Sequence, residues 1–474
     1  MQFFGESLST EYYHQLISSF NDLIGNNVTF EEIGKAVKQV ESLYKDNGYI
    51  LTSAFLPSQS FDSGSVTVQV VEGYLDSYIV RGGTRGNRNY VRNMLGPLDS
   101  AINESKAFNF RTLEKQLLLI RDFNSVNFKS TLAKGSKFGS STLYIDLKPN
   151  AISTGVNADT WISEKIGDYK VNTYAQIITP TTTPLKIFIS GTSSVGNGEL
   201  TLEERLDRTG QRSAYGNLSA PISTGGLVAN ASYAMSDSRS NDIGSTNSSI
   251  WTEGSSENIS IGIEKPIHVG RTSMTKIGLT GTHQNSEDNL YINNHESQNV
   301  SANRIRAVRL NLNGYSSDSS GSNQYSLNLS RSLDVLDNDL NTWEVPSNPA
   351  VEKDESWMTS KFYLSRSQRL GNSNSMISFK TQAQYASAPV PVPEQIGYGG
   401  QTFGRGFDSN NILGDTGAMG SVELSNVFFT GDSSTFTPFA FYDYGWTKRL
   451  ETNNLDDEQA STYGFGFRTT VSNT

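Results

Sequence analysis

From residue 151 onward the helical spacing of apolar residues stops, and apolar residues instead recur at every second position. Alternation of this kind is typical of strands that have one apolar and one polar face. The clearest examples fall in six segments: Leu185, Ile187 and Ile189; Ile259, Ile261 and Ile263; Val308, Leu310 and Leu312; Tyr325, Leu327 and Leu329; Phe362 and Leu364; Ile377 and Phe379. The pattern predicts a large antiparallel sheet for most of the chain.

The composition of the chain fits a sheet with one apolar and one polar face. Only 35% of its 474 residues are hydrophobic and 18% are charged, yet 42 are glycine, 21 tyrosine and 23 phenylalanine. A large membrane barrel has this balance, because its strands meet lipid on one side and water on the other. We therefore predict an all-β antiparallel transmembrane barrel over residues 151–474. At roughly 20 residues for a strand and its connection, the barrel would have about 16 strands.

Other architectures are compatible with the alternation to different degrees. A soluble β-sandwich or β-solenoid gives a similar pattern and stays open as an alternative. A helical membrane protein is excluded, because no run of about 18 apolar residues occurs. Polar stretches such as residues 236–241 and 316–320 interrupt the alternation, and we predict that they are solvent-exposed loops.

Charge and residue usage exclude several classes of function. The net charge of -10 argues against a partner recognised through its phosphates, so no nucleic acid is expected. Cysteine is absent, which removes disulfides, thiolate chemistry and cysteine-ligated metals. No zinc-binding, nucleophile-elbow or nucleotide-binding motif occurs. We expect neither an enzyme nor a cofactor or metal. The four histidines are scattered: His14, His268, His283 and His295.

Residues 1–150 follow a different pattern. Thr29 and Glu32 form a capping box, which marks the start of a helix. Apolar residues recur behind it at helical spacing, and Asn47-Gly48 supplies the stop. A strand with alternating valines comes next, at Val66, Val68 and Val70. The order predicts a compact α/β unit over residues 1–75. The helix residues that we expect to face its core are Ile33, Ala36, Val37, Val40 and Tyr44.

The same order of elements recurs over residues 76–150. A strand lies near Leu75–Val80, a helix ends before Gly96-Pro97, and a second helix is capped by Asn109. Two strands follow, the last at Leu143–Leu147. We therefore predict three domains, namely two tandem α/β modules (1–75 and 76–150) and the barrel (151–474). The second helix of the later module carries Leu113, Leu117 and Ile120.

One arginine and one aspartate mark the C-terminal part of the barrel. Arg405 lies in the run Gly404-Arg405-Gly406-Phe407, which follows Tyr398-Gly399-Gly400 and precedes Gly414-Asp415. Asp443 lies in the strand-like run Phe441-Tyr442-Asp443-Tyr444-Gly445. An unpaired charge is costly inside a barrel. We therefore predict that Arg405 and Asp443 pair through a charge-assisted, bidentate bond.

These features together resemble the outer-membrane transporters of two-partner secretion, the haemolysin secretion/activation family. The run 404–407 resembles the family's Val-Arg-Gly-Tyr/Phe loop motif, with Gly404 where valine is usual. Residues 441–445 resemble its aromatic-Asp-x-Gly strand motif. The segment 44–73 resembles the family's first periplasmic polypeptide-transport-associated (POTRA) domain. The residues that carry this last match are Tyr44, Gly48-Tyr49-Ile50, Ala54, Leu56-Pro57, Gln59, Gly64 and Val70-Val71-Glu72-Gly73.

The resemblance implies a fold and a site. It implies two POTRA domains in the periplasm of a Gram-negative bacterium and a barrel in the outer membrane. It also implies that residues 398–415 are a loop folded into the pore. That loop either moves during export as a latch or stays in place as a structural strut. The implied site residues are Gly404, Arg405, Gly406, Phe407, Gly414 and Asp415 on the loop and Asp443 and Gly445 on the barrel wall.

The resemblance also implies an activity, the export of one large unfolded exoprotein of the haemolysin or adhesin type, which the transporter can also activate. The other expected partner is outer-membrane lipid, and the transporter is expected to be a monomer. An open sheet edge would capture the exported chain. The contacts expected there are Leu143 and Ile145 on a strand and Leu113 and Leu117 on a helix; alternatively, these residues form the module's own core.

Two other activities stay open beside export. One is an assembly or insertion factor for outer-membrane proteins, from the same superfamily. The other is a passive diffusion porin. The resemblance further implies a signal peptide and a plug helix before the first module, and two more strands after residues 463–467. None of these is recognisable in the sequence, so we expect a piece of a longer protein.

Overall fold

The structure is a computed structural model. It describes residues 17–18, 20–60, 64–150, 152–160, 162, 166–195, 210–240, 250–292, 295–335, 340–342, 356–371, 373–429, 434–450 and 457–471. Residues 1–16 of the first predicted domain, including His14, lie outside these ranges. The chain divides into two compact units. The first comprises Met1–Ala151, Ile178–Pro184 and Ser223–Gly226, and the second the remainder.

The first unit contains helices and short sheets. Its helices are α1 (Phe30–Asp46), α2 (Arg85–Leu95), α3 (Asp99–Asn103) and α4 (Phe110–Phe123), with a 3-10 turn at Gly96–Leu98. Its strands are β1 (Ser53–Phe55), β2 (Gln69–Val71), β3 (Tyr74–Gly82), β4 (Val126–Lys134) and β5 (Ser140–Pro149).

Helix α1 begins where the sequence predicts. The Thr29 hydroxyl accepts from the Glu32 amide, and Glu32 Oε2 accepts from the Thr29 amide at 2.7 Å, which satisfies two donors at the helix start. The five predicted core residues of this helix are all buried. The predicted valine strand is shorter than expected, because only Gln69–Val71 pairs, with β1.

A three-stranded sheet carries the later part of this unit. Strand β5 lies in its centre, parallel to β3 and antiparallel to β4. The Asn109 side chain accepts from the Arg111 amide and caps α4. Leu113 and Ile120 of that helix are buried, as are Leu143 and Ile145 of β5. The boundary between the two predicted modules stays a prediction.

The second unit consists of strands. The strands that precede residue 387 are β6 (Ile152–Asp159), β7 (Tyr169–Ile178), β8 (Lys186–Val195), β9 (Gly210–Pro221), β10 (Val228–Arg239), β11 (Ile250–Val269), β12 (Ser273–Ile292), β13 (His295–Ser317), β14 (Gly321–Ser332), β15 (Leu340–Thr342), β16 (Met358–Arg369) and β17 (Ser375–Ala386). After a 3-10 turn at Val392–Glu394 come β18 (Ile396–Tyr398), β19 (Ile412–Gly414), β20 (Thr416–Asn426), β21 (Phe428–Phe429), β22 (Ser434–Lys448) and β23 (Glu458–Val471).

Most of these strands form one large antiparallel sheet. In the described residues the sheet has 16 strands, two of which, β15 and β21, are only three and two residues long. Long strands pair with their neighbours in chain order, so the topology is an up-and-down meander. At its two ends, β6 pairs with β7 and β23 pairs with β22. The predicted antiparallel architecture is confirmed.

The two faces of the sheet differ as the alternation requires. Predicted apolar residues such as Ile261, Phe362 and Phe379 are exposed, by 66%, 41% and 42%. On the opposite face polar side chains bond across strands, for example Asn328 to Asn311 and Asn311 to Thr280. An apolar outer face with a polar inner face is the pattern of a membrane barrel rather than of a soluble sandwich.

Three neighbouring strands are longer than a bilayer requires. Strands β11, β12 and β13 have 20, 20 and 23 residues, whereas about 10 residues suffice for a membrane-spanning strand. The loops predicted at 316–320 and 236–241 are wrong in part. Residues 316–317 end β13, and residues 236–239 belong to β10. Polar residues there continue a strand whose partner β11 extends equally far.

No helix of the described residues is long and apolar enough to cross a membrane.

Candidate functional site

The connection between β17 and β20, residues 387–415, packs against the inner face of the sheet. It carries the small antiparallel hairpin of β18 and β19. Ile396, Tyr398 and Phe403 of this loop are buried together with Met419 of β20. Their partly buried neighbours are Tyr363, Phe407, Ile412 and Ala460, from β16, the loop itself and β23. Apolar burial thus seats the loop on several wall strands at once.

An ion pair fastens the start of this loop to β13. Arg309 Nη2 lies 2.5 Å from Glu394 Oε1, and Nη1 donates to Oε2 at 3.1 Å. The Arg309 side chain is 17% exposed and that of Glu394 8%. Gln384 Nε2 donates to the carbonyls of Glu394 and Asp415, at 2.8 and 3.0 Å. Strands β13 and β17 therefore both hold the base of the loop.

Asp415 closes the loop at its other end. Its Oδ1 accepts from the Val390 amide at 3.0 Å and from Gln395 Nε2 at 3.2 Å. Its Oδ2 accepts from the Leu450 amide at 2.8 Å. The buried carboxylate thereby joins both ends of the loop to the turn after β22.

Arg405 at the loop tip contacts Asp443 of β22. Its Nη2 donates to Oδ1 at 2.9 Å and its Nε to Oδ2 at 3.1 Å, a two-pronged geometry. The amides of Gly404 and Arg405 also donate to Oδ2, at 3.1 and 3.0 Å. Asp443 is fully buried and the Arg405 side chain is 13% exposed. In so enclosed a place, charge-assisted bonds hold the tip strongly.

Three further wall residues contact the Arg405 guanidinium. Its Nη1 donates to Glu423 at 2.5 Å and its Nη2 to Ser421 at 3.1 Å, both on β20. Its Cζ lies 3.7 Å from the ring centre of Phe441, a cation–π contact. Arg468 of β23 binds the same Glu423 carboxylate. Phe441 belongs to the strand motif named from the sequence, whereas Ser421, Glu423 and Arg468 were not predicted, although Glu423 is a lone acidic residue in an alternating strand.

The glycines around Arg405 are required by the backbone. Gly404 has φ +76° and Gly406 has φ +125°, conformations that a residue with a side chain rarely adopts. Gly404 also lies against a ring, since a Cβ there would be 2.8 Å from Tyr398 Cε1. Phe407 packs on the same Tyr398 ring with centroids 6.1 Å apart. The tight turn directs the guanidinium toward the wall and Phe407 toward the loop's apolar cluster.

Two other glycines of the motifs provide space. A Cβ on Gly445 of β22 would overlap the Tyr398 ring. A Cβ on Gly414 would lie 2.7 Å from the backbone N and O of Lys448. The wall strand can approach the loop closely only because these positions lack side chains. The structure thus places the eight predicted residues in two groups. Gly404, Arg405, Gly406 and Phe407 lie with Asp443 and Gly445 at the loop tip, and Gly414 and Asp415 lie at the loop base.

The predicted cargo contacts need a correction. Strand β5, with Leu143 and Ile145, has partners on both sides, so it offers no open edge. Leu143 and Ile145 are 1% and 0% exposed, and Leu113 is 1% exposed, because they fill the core between α4 and the sheet. Leu117 is half-buried. In the described part of this sheet, the outer strands are β3 and β4.

A carboxylate of β3 binds the central strand β5 and the turn before it, at one end of that sheet. Asp76 of β3 accepts from Thr142 Oγ1 at 2.9 Å, from Ser140 Oγ at 3.0 Å and from the Ser136 amide at 3.1 Å. Desolvation raises the pKa of Asp76, but hydrogen bonds from Thr142, Ser136, Ser140 and Ser77 outweigh it and lower the pKa to about 2. The bonds fix the turn between β4 and β5.

A polar cavity lies between the loop and the wall. Its volume is about 440 Å³, and Lys361, Gln382, Gln395, Thr402 and Ser409 are among its lining residues. Within the part of the chain that the structure describes, no group of three or more histidine, aspartate or glutamate residues could hold a metal ion. The chemistry of this site is therefore that of a fastened loop beside a water-accessible space.

A large antiparallel sheet with one apolar and one polar face, and a loop held against the polar face, is the architecture of an outer-membrane β-barrel. The chain belongs to the family of haemolysin secretion/activation proteins ShlB/FhaC/HecB, whose profile matches residues 139–469. The ShlB-type POTRA domain matches residues 7–73. The protein is thus a two-partner secretion transporter of the outer membrane, with its POTRA domain in the periplasm.

Similar proteins agree with this membership. The heme/hemopexin transporter protein HuxB of Haemophilus influenzae (strain 86-028NP) is 21% identical over 92% of this chain and 73% of its own length. Among solved structures, CdiB from Escherichia coli superposes with a TM-score of 0.74 at 18% identity, covering 98% of this chain and 82% of that chain. CdiB from Acinetobacter baumannii gives 0.61 at 15% identity, with the same coverage. These likenesses show the fold.

Family membership favours one of the activities that the sequence left open. Members of this family are transporters that serve a secreted partner protein. A secretion transporter therefore replaces the diffusion porin and the assembly factor as the working assignment.

Proposed function

We propose that this chain is a translocation pore that captures one large unfolded exoprotein of the haemolysin or adhesin type in the periplasm and exports it. It works as a monomer surrounded by outer-membrane lipid, without a cofactor. The loop 387–415 is a latch in this proposal. Its tip is fastened to the wall by Arg405 at rest and is released while the exoprotein passes.

The observation that carries the proposal is the fastening of Arg405. Truncating one partner of a buried ion pair typically costs about 3–5 kcal/mol, because the other charge is left uncompensated. If release of the loop costs a free energy of that size, fewer than roughly 1% of the molecules have a released loop. The latch is thus closed at rest, yet the cost is small enough for a bound exoprotein to supply through contacts made only in the released state.

The base of the loop suits a hinge. The Glu394 and Asp415 contacts hold both ends of the loop, and these contacts share no residue with the tip contacts of Arg405. The tip can therefore leave Asp443 while the base stays attached. Release in this manner would widen the lumen on the side of β20 and β22 without unfolding the wall.

Capture of the exoprotein is assigned to an edge of the periplasmic sheet. With β5 in the centre, β4 is an outer strand of the sheet in the described residues, and its outer side can accept an extended segment through main-chain hydrogen bonds. Lys129 and Lys134 on this strand keep the edge from pairing with copies of itself. Movement through the pore then draws on folding of the exoprotein outside the cell.

A covalent tether tests whether the loop must move. Ser409 of the loop and Gln382 of β17 line the same cavity, and neither contacts Arg405 or Asp443 in the bonds described. Because the chain has no cysteine, Ser409→Cys with Gln382→Cys gives one unique pair of thiols. A short bis-maleimide should tether loop to wall and stop export of the co-expressed exoprotein.

The controls separate tethering from modification. The same double variant treated with a monofunctional maleimide should export normally, as should each single variant treated with the bis-maleimide. Continued export by the tethered protein would refute the latch and leave the loop as a structural strut. Export of no exoprotein by the untreated parent, with normal insertion of other barrel proteins, would refute the transport assignment itself.

A further inference from the structure

Glu423 lies between two arginines that belong to different elements. Its Oε2 accepts from Arg405 Nη1 of the loop at 2.5 Å. It also accepts from Arg468 of β23, with Nη1 at 2.6 Å from Oε1 and Nη2 at 3.0 Å from Oε2. The side chains of Glu423 and Arg405 are each 13% exposed, whereas that of Arg468 is 54% exposed. A single carboxylate of the wall is thus shared by the loop and by β23.

The two guanidinium groups occupy equivalent places along β22. Arg405 Cζ lies 3.7 Å from the ring centre of Phe441, and Arg468 Cζ lies 4.0 Å from that of Phe439. The two rings are 6.3 Å apart. Opposite them in register stand Gly464 and Gly466, whose lack of side chains leaves the rings their space. The wall therefore offers two neighbouring places for a guanidinium, both beside one carboxylate.

The two arginines differ in what happens when the loop leaves. Arg405 departs with the loop tip, but Arg468 is part of a wall strand and stays. Without Arg468, release would leave the Glu423 carboxylate, which is 13% exposed with the loop in place, without either of its arginine partners. A buried charge deprived of its partner is costly. Arg468 is the cation that remains beside it.

We propose that Arg468 is a positioning residue for release of the loop. It keeps Glu423 neutralised when Arg405 leaves, and so lowers the cost of opening. The closeness of two like charges around one carboxylate also disfavours the closed state. Both effects act in the same direction. The inference rests on the proposed function, in which the loop tip is released during export.

Removal of Arg468 should change the released fraction of the loop in the opposite direction from removal of an ordinary fastening bond. If Arg468 merely added one more bond to the fastening, its removal would loosen the loop. If it neutralises Glu423 in the released state, its removal destabilises that state more than the closed state, in which Arg405 still binds Glu423. Loss of Arg468 then tightens the latch, while loss of Arg405 releases it.

The open fraction of the purified full chain in a planar lipid bilayer, without exoprotein, measures both effects. We expect Arg405→Ala to raise the open fraction. We expect Arg468→Gln to lower it about five-fold, a modest change because the Arg468 side chain is half exposed. Arg468→Lys retains the charge and should restore most of the parent value. As a matched control, Arg369→Gln removes an exposed arginine at the end of β16 and should change nothing.

Repeating Arg468→Gln in a Glu423→Gln protein shows whether its effect comes from neutralising Glu423 or from a structural change at residue 468. In Glu423→Gln there is no carboxylate to neutralise, so Arg468→Gln should have no further effect on the open fraction. A rise or no change on Arg468→Gln in the parent, or an undiminished effect in Glu423→Gln, would overturn the inference. If Arg405→Ala itself leaves the open fraction unchanged, the latch fails instead. The two failures are thus distinguishable.

Discussion

Arg405 and Asp443 are 38 residues apart in the chain, yet they join a loop tip to a barrel wall through two parallel bonds of 2.9 and 3.1 Å. Two backbone amides of the loop donate to the same carboxylate, so Asp443 fixes the loop's backbone as well as its side chain. A wall residue with four donors from one loop is well placed to set whether that loop stays in the lumen.

Arg405→Lys should weaken the latch without removing its charge. A lysine ammonium cannot reproduce the fork that binds Asp443 while another nitrogen binds Glu423, so the variant loses charge-assisted bonds. With about 1.5–3 kcal/mol lost, the open fraction should rise roughly ten- to a hundred-fold. Single-channel recording measures this rise, and barrel abundance in the outer membrane should stay near the parent level. A parent-like open fraction would show that charge alone holds the tip.

Arg405→Ala and Asp443→Ala should lower export more than they lower barrel abundance. Arg405→Ala leaves the buried Asp443 carboxylate without its guanidinium partner, and Asp443→Ala removes the acceptor of four donors from the loop. In both variants the loop tip no longer returns to a defined position. Secreted exoprotein and folded barrel can be quantified in the same cells. An equal loss of both would indicate that the pair is a strut needed for assembly.

Gly445→Ala should displace the loop through its contact with Tyr398. A methyl group at this position would overlap the Tyr398 ring, so the loop and β22 can no longer approach as closely. We expect a raised open fraction. Gly420→Ala on β20 is the matched control, since its Cβ would meet only the Lys380 carbonyl oxygen, at an ordinary 3.7 Å. Equal behaviour of the two variants would contradict a steric role for Gly445.

Exchanging the two charges of the Arg309–Glu394 ion pair should raise the open fraction less than removing one of them. Arg309→Met leaves Glu394 without its two-pronged partner in a site where the carboxylate is 8% exposed. We expect a loosened loop base and an increased open fraction. The double variant Arg309→Glu with Glu394→Arg should recover much of the parent behaviour, which the single charge changes do not. Failure of the double variant to improve on either single one would argue against a direct pairwise effect.

The turn between β4 and β5 should loosen in acid. The pKa of Asp76 is lowered from 3.8 to about 2 in the folded chain, so its contribution to stability is complete above pH 3.8 and is lost as the pH falls toward 2. The protection factors of the amides of residues 134–140, which correct for the intrinsic pH dependence of exchange, should therefore fall over this interval. In Asp76→Asn these protection factors should be low already at pH 3.8 and should not change across the interval. Unchanged protection factors in the parent would contradict the assignment.

Leu143→Ala should act on folding rather than on recognition of the exoprotein. Leu143 is 1% exposed in the central strand, and truncating a buried leucine costs about 2–5 kcal/mol. We expect a lower melting temperature of the periplasmic part and a matching loss of export. An exposed substitution on the outer strand, Lys129→Ala, should leave stability unchanged. Normal stability with selective loss of export in Leu143→Ala would restore that residue as a contact.

Local chemistry made part of this protein predictable from the sequence. The capping box at Thr29 and Glu32 defined the start of α1, because its bonds close within one helical turn. Alternation of period two defined the strands, since neighbouring side chains on a strand must point to opposite faces. The pairing of Arg405 with Asp443 was foreseeable because a single cation among glycines in a barrel requires a counter-ion.

Long-range packing decided what the sequence could not. That β5 is a central strand, and Leu143 therefore core, depends on which strands pair with it on each side. The roles of Glu423, Arg468 and Arg309 depend on which strands meet the loop in space. Sequence determined which residues form strands and which charges need partners, since these follow from neighbours along the chain. Tertiary structure determined which partners they find, because strand order brings distant residues to the same place.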